Sequence, residues 1–432
     1  LKAVTAIQLA RRLRDQRIAA VPVFWVEAED HDWAEVRSTK VIDREGAVAA
    51  VTAADVPGAG SLPVARLTFD AGIAQTLSEL RDRLPATEFT DETIASLEHR
   101  YRAGAPVGRA FAGWIEDLLG RHGLVVFEAD DPTLKPVVRD LFAHELAGRP
   151  AARLAREQAG VMRSLGHAPQ VETTEDGVSV FYVDAAGRRA IRVKDGQYLV
   201  GDQLRPVEDV RAEALDHPER FSPNVLLRPL VQDRLFPTAC YVGGPAELAY
   251  QAQIGPLYRE FGVEAPLLYS RGSATIVDGG AARFLDRSGL PLESLQPQDD
   301  GTLNRLLQEH LPGGVERTLA EINEIIATRV TALGQAVSPI DPTLSGAVDT
   351  TAERMRETLK TLQNKIVQAA KRKDETLRRQ FTRTRALVFP DGDPQERALG
   401  IAFFVNRYGP ALGDRLLDVL PVETDKHYVL VL

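Results

Sequence analysis

A single cysteine, Cys240, stands in 432 residues. The chain therefore cannot close an internal disulfide or build a Cys-rich zinc site, and the cytoplasm, a reducing compartment, is the expected location. Long apolar runs are missing too. The longest, Ile18–Val26, is nine residues including Pro22, about half of the ~20 that a bilayer span requires, so no membrane crossing is expected. Positive charge is in deficit, 52 Lys and Arg against 61 Asp and Glu for a net −9, which excludes a whole-molecule nucleic-acid footprint. Only nine of those cations are lysines, and none lies between Lys194 and Lys360. Anion chemistry in that stretch falls to arginine and backbone amides. H-E-x-x-H, G-x-S-x-G, Walker and G-x-G-x-x-G motifs are all absent, which ranks zinc hydrolases, serine hydrolases and standard nucleotide fingerprints low. Cys240 itself lies inside an apolar strand and reads as a core thiol rather than a nucleophile.

What is present describes a folded protein of about three domains, with 44% apolar and 26% charged residues. Ile18–Val26 is apolar on both parities, as expected of a strand buried on both faces of a parallel sheet. A polar loop, residues 27–32, follows it. Leu124–Phe127 and Ala239–Val242 repeat the order of strand, polar loop and helix, which implies an α/β core. Hairpin text interrupts that core at Val36–Val51 and Val178–Val200, and helical stripes such as Ile73, Leu77, Leu80, Leu84 and Phe111, Ile115, Leu118 lie between them, broken at Pro85 and Pro106.

Beyond Leu311–Gly314 the pattern changes. Leu319, Ile322, Ile326, Val330 and Leu333 share one helical face, and after a break at Ser338–Pro342 the stripe Val348, Ala352, Met355, Leu359, Leu362, Ile366, Ala369 steps alternately by four and three. That is heptad spacing, and it predicts two long helices forming an antiparallel arm. Residues 352–385 hold eleven Lys or Arg against four Asp or Glu, either a solvated face or a contact for an acidic partner or nucleotide. A helix from Gln395 to Tyr408 and a last strand from Tyr428 close the chain.

In an open parallel sheet ligands sit beyond the carboxyl ends of the strands. The densest set there is Glu29, Asp30, His31 and Asp32. Four ionisable groups beside an apolar strand repel one another unless a cation, an ammonium or sugar hydroxyls satisfy them. His31 suits a general base on an amine, and Asp30 or Asp32 suits an ammonium or Mg²⁺; Asp32 is equally placed to cap a helical turn. Gly243 and Gly244, at a strand-to-helix turn, could let the backbone approach a phosphate or carboxylate, or simply make a tight turn. Asn224 and Arg228 offer an amide and a guanidinium to an anion, or a buried structural pair, and Arg271 is a further strand-end cation.

Taken together, Val21-Pro-Val-Phe-Trp-Val-Glu-Ala-Glu-Asp-His-Asp32, Gly166-His-Ala-Pro-Gln-Val-Glu172, Asn224–Pro229 and Gly243-Gly-Pro-Ala-Glu-Leu-Ala-Tyr250 resemble the bacillithiol biosynthesis cysteine-adding enzymes. Phe389-Pro390, Pro394-Gln-Glu-Arg397 and Arg407-Tyr-Gly-Pro410 resemble the carboxyl-terminal segment of the same family. The resemblance implies an α/β fold: a Rossmann-like parallel-sheet core with an antiparallel β and helical insertion and a C-terminal antiparallel coiled-coil arm. The expected divisions are residues 1–35 for the start of the core and 36–122 for a hairpin and helical insertion. Residues 123–310 form the rest of the core, with a β-hairpin insertion near 166–205, followed by the arm at 311–388 and a compact segment at 389–432. The family's pattern carries a Gly-rich first strand and loop ahead of the region matching Leu1–Val4, so the stretch is expected to be an incomplete form.

The implied activity is a ligase joining L-cysteine by an amide bond to the amine of glucosaminyl malate, the last step of bacillithiol synthesis, and the implied assembly is a homodimer. Amide formation from a free carboxylate needs activation, which points to ATP, with Mg²⁺ accompanying it. Glu29, Asp30, His31 and Asp32 are then expected to bind amines and take up the proton. Gly243, Gly244, Asn224, Arg228 and Arg271 would hold anionic groups, with Trp25, Glu247 and Tyr250 lining the pocket and no lysine among them. Two other readings stay open: a metal-dependent phosphohydrolase or transferase using Asp30, His31 and Asp32, and a coiled-coil scaffold carrying a degenerate enzyme core.

Overall fold

The computed structural model describes residues 1–309, 313–341, 343–373, 375–423 and 426–432. The expected breaks at 311–312 and at Pro342 lie outside the described residues. Two compact units emerge, one of residues 1–44, 49–275 and 399–430, the other of residues 45–48, 276–398 and 431–432.

In the first unit the apolar run becomes a strand only over its second half, β1 (Val23–Val26), because Pro22 has no N–H to donate to a ladder. A hairpin follows, β2 (Ser38–Ile42) and β3 (Val48–Thr52). Helices Gly72–Arg83, Thr90–Arg100 and Val107–Leu119 come next, then β4 (Val125–Glu128) and helix Lys135–Gly148. The middle of the unit contains β5 (Gly177–Asp184), β6 (Gly187–Lys194), β7 (Gln197–Val200), β8 (Gln203–Arg205) and β9 (Phe221–Pro223). Helix Arg228–Leu235, β10 (Cys240–Gly243), helix Pro245–Glu260 and β11 (Leu267–Ser270) complete the part that positions the site.

β1 pairs with β4 in parallel, Val23 opposite Val125, and β10 pairs with β11 in parallel, Cys240 opposite Leu267. These pairs are separate two-stranded sheets. The expectation that Ile18–Val26 is buried on both faces is therefore corrected: only Val26 of β1 is fully buried, because a two-stranded ladder leaves each strand one unpaired edge. The first amphipathic helix, Lys2–Asp15, packs on both β1 and β10.

The largest sheet is the antiparallel insertion, in the order β8-β7-β6-β5-β9. Its inward residues Val180, Ile191, Tyr198 and Phe221 meet Val138, Leu141, Phe142 and Leu146 of helix Lys135–Gly148, whose 3-4 spacing puts all four on one face. Glu145, fully buried on that helix, accepts from Ala151 N at 3.0 Å and from Ser179 N at 2.9 Å. Its carboxylate thus satisfies a helix start and a strand together.

The helix expected over Gln395–Tyr408 divides into Gln395–Ala398 and Ile401–Tyr408. Gly400 is extended between them and donates to Lys40 O at 2.8 Å, and a Cβ there would overlap Thr39 Oγ1. In the second unit, helices Gly313–Val337 and Leu344–Lys373 form the two-helix arm. A third helix, Glu375–Val388, takes Leu377 and Phe381 into a core with Phe284, Leu295 and Leu306. The basic run therefore belongs to two helices in different surroundings.

Candidate active site

β1 and β4 run parallel, so the loops after Val26 and Glu128 open at the same end of the ladder. Glu29 comes from the first loop; Asp130 and Lys135 come from the second and from the start of the helix it feeds. Glu29 and Lys135 form an ion pair, each about 5% exposed. Glu29 Oε1 takes the ammonium, and Oε2, also buried, has no hydrogen-bond partner among the described residues. Burial pushes the Glu29 carboxyl up from 4.5 to about 7, with Lys135 pulling the other way. Burial raises Asp130 as well. These residues, with Arg66, Glu219 and Ser222, line a cavity of about 250 Å³ whose apolar wall includes Val183 and Phe221.

The neighbouring residues are anchored by an arginine from the insertion. The Arg188 guanidinium lies 3.9 Å from the centre of the Phe181 ring and donates to Ser222 Oγ at 3.0 Å, Pro223 O at 2.7 Å and Asp30 Oδ1 at 3.1 Å. Asp30 Oδ1 in turn lies 3.0 Å from His31 Nδ1 and accepts the His31 backbone N–H. Imidazole Nε2 has no partner among the described residues, and the ring is about half exposed. An imidazole oriented through Nδ1 by a carboxylate, with Nε2 free, is the arrangement of a general base. The backbone holds the loop as well: Val64 N donates to Asp30 O at 2.7 Å and Ala65 N to Ala28 O at 2.9 Å.

Asp32 departs from the cluster. Its Oδ1 accepts Glu35 N at 3.1 Å and caps the short helix Trp33–Val36. Asp30 and His31 face each other while Asp32 turns to the helix start, so the three do not converge as a metal-binding triad, and no group of three or more His, Cys, Asp or Glu side chains among the described residues is placed to hold a metal ion.

A second charged cluster lies at the carboxyl end of β10. Arg228 Nη2 donates to Tyr250 Oη at 2.9 Å and Tyr241 Oη at 3.3 Å, and Nη1 to Gln232 at 3.3 Å. Burial acts to lower the Arg228 pKa, but Tyr250, Tyr241 and Glu27 more than offset it and hold the guanidinium charged. Tyr241 donates to Glu247 Oε1 at 2.9 Å, Gly244 N donates to Glu247 Oε2 at 2.9 Å, and Lys2 pairs with the same carboxylate. Glu27 lies between the clusters, accepting Trp25 Nε1 at 3.0 Å with Arg228 Nε 3.9 Å away.

The expected anion cradle is thus internally satisfied, since Glu247 takes the Gly244 amide. Gly243 is packed, a Cβ there lying 3.1 Å from Tyr241 and Leu248 atoms. Asn224 turns back on its own chain, Oδ1 accepting Leu226 N at 2.9 Å. Arg271 Nη1 donates to Gly272 O at 3.0 Å, with its Nε beside Gly244.

Both clusters lie in the region matched by a family model described as "Bacillithiol biosynthesis BshC, N-terminal Rossmann-like domain", residues 1–272; the "C-terminal coiled-coil domain" of the same family matches residues 274–432. The chain belongs to the BshC family. A BshC protein of Chlorobaculum tepidum is 33% identical over 100% of this chain and 79% of its own length. Relatives in Salinibacter ruber and Symbiobacterium thermophilum are each 32% identical, over 99% and 98% of this chain and 79% of their own lengths. All three carry the name "Putative cysteine ligase BshC".

No lysine stands among the residues expected at the site, but in this BshC chain Lys135 pairs with Glu29, and Lys2 with Glu247. Lys135 follows the second strand-end loop, so the rule that led to Glu29 also pointed there. Arg188 gave no such signal. It lies 158 residues from Asp30 and reaches it only because the insertion folds back.

Proposed function

We propose that this protein is a cysteine ligase of bacillithiol biosynthesis that joins the carboxyl of L-cysteine to the amine of glucosaminyl malate. The observation that supports it best is the chain Arg188, Asp30, His31 set beside the buried Glu29–Lys135 pair at the carboxyl ends of two parallel strands. Arg188 fixes Asp30, and Asp30 orients His31 so that Nε2 receives the proton the amine loses on attacking the acyl carbon. Holding amine and carboxyl side by side supplies the orientation that a bimolecular condensation in water lacks. ATP, with Mg²⁺, would supply the activation of the carboxylate; Gly244 is not its amide donor in this conformation, because Glu247 occupies that N–H.

The place of work is the cytoplasm in this reading. Among the described residues no helix is long and apolar enough to cross a membrane. Two copies pair through the arm, where Met355 and Leu362 of the heptad stripe are 45% and 47% exposed. Purified protein given cysteine and glucosaminyl malate, with and without ATP, tests the reading by mass spectrometry of the product. His31→Ala should lower the rate at least ~100-fold. Product at equal rates without nucleotide rejects ATP activation, and an unaffected H31A rejects the base.

A further inference from the structure

The cavity beside Glu29 has the make-up of a receptor for one particular ligand chemistry. We infer that it holds the amino-acid substrate as a zwitterion, its ammonium on Glu29 and Asp130 and its carboxylate on Arg66. The pocket itself rests on the geometry below; only the identification of that amino acid as L-cysteine rests on the ligase reading.

Three observations carry it. First, Glu29 Oε2 is a carboxylate oxygen buried at the cavity with no partner, while Oε1 is already engaged by Lys135. A buried acceptor of that kind is stabilised by a ligand that donates to it, and an ammonium carries three donors. Second, the lining carries both signs. Glu29, Asp130 and Glu219 face Lys135 and Arg66, and Arg66 spends only Nη1 on a backbone carbonyl, that of Asp184 at 3.1 Å. The remaining guanidinium donors suit a carboxylate. Third, the volume of about 250 Å³ falls below the ~300–1,000 Å³ of pockets for larger ligands, and buried Val183 and Phe221 form an apolar wall. A free amino acid with a short side chain satisfies all three observations. A nucleotide or a lone phosphate would set negative charge against three carboxylates.

The test is calorimetric titration of the purified protein with no sugar or nucleotide present. The probes are L-cysteine, cysteamine (no carboxylate), 3-mercaptopropionate (no ammonium) and L-phenylalanine (bulky side chain). L-cysteine should bind at least ten times more tightly than the other three. R66A should weaken L-cysteine about tenfold and leave cysteamine unchanged; E29Q should weaken L-cysteine and cysteamine together and leave 3-mercaptopropionate unchanged. Arg66 is exposed, so R66A keeps the test intact if E29Q fails to fold. Equal binding of cysteamine and L-cysteine, no binding of L-cysteine to folded protein, or equal losses for both ligands in R66A would overturn the assignment. L-cysteine binding as expected without any product from glucosaminyl malate would sink the ligase reading alone. Product formation with an unchanged KM for cysteine in R66A would sink the pocket alone.

Discussion

Replacing Glu29 by Gln should alter how stability depends on pH. The Glu29 carboxyl titrates at about 7 in the folded protein against 4.5 when unfolded, chiefly because burial disfavours its charge. Between those values the folded state holds a proton that the unfolded state has released, so stability falls as pH rises. The contribution is fully present below pH 4.5 and is lost as pH passes through about 7. At ~1.4 kcal/mol per unit, the stability of wild type relative to E29Q should decline by about 3 kcal/mol from pH 5 to pH 8. The substitution also leaves Lys135 without its carboxylate, which adds an offset, so the slope of the difference is the readout. Tryptophan fluorescence during urea denaturation reads the relevant unit alone, because the three tryptophans, Trp25, Trp33 and Trp114, all lie within it. Parallel wild-type and E29Q curves from pH 5 to pH 8 would refute the raised carboxyl.

Other outcomes follow from single contacts. Gly187 sits at φ +128 with the Ser61 carbonyl oxygen where a Cβ would be, so G187A should lower stability by at least ~2 kcal/mol; a wild-type denaturation midpoint contradicts this. Gln395, 1% exposed, bonds Ile276 N at 2.7 Å, Ile276 O at 2.8 Å and Leu387 O at 2.9 Å. Q395A should destabilise the second unit by about 3 kcal/mol, seen as faster hydrogen exchange at the Ile276 amide, and unchanged exchange counts against it. Arg188→Lys keeps the charge but cannot reach Ser222, Pro223 and Asp30 in one plane, so ligase activity should fall at least ~10-fold; full activity in R188K would show that Asp30 needs no such anchor.

Much of the local architecture could be read from residue order. Alternating or continuous apolar runs, bounded by Pro and Gly, located β1 to β7, β10 and the helices Gly72–Arg83 to Val107–Leu119, because burial of one face is a local demand on spacing; β8 and β9, which widen the expected hairpin to five strands, were not read. The heptad stripe announced the arm in the same way. The split at Gly400 was missed because it depends on Thr39 and Lys40, a partner strand far away in sequence.

The candidate site divides along the same line. Residue type and position after a strand brought Glu29, Asp30, His31 and Asp32 forward; Asp130 and Lys135, which follow β4, were passed over although the same rule applies there. The cap at Asp32 was already open to the sequence reading, but what separates Asp30 from Glu29 needed the third dimension: Asp30 is held by Arg188, and Glu29 is sealed against Lys135 with one oxygen left over. A sequence states which groups can ionise. Solvent access and neighbouring charge decide which of them do, and chain segments more than a hundred residues apart supply both.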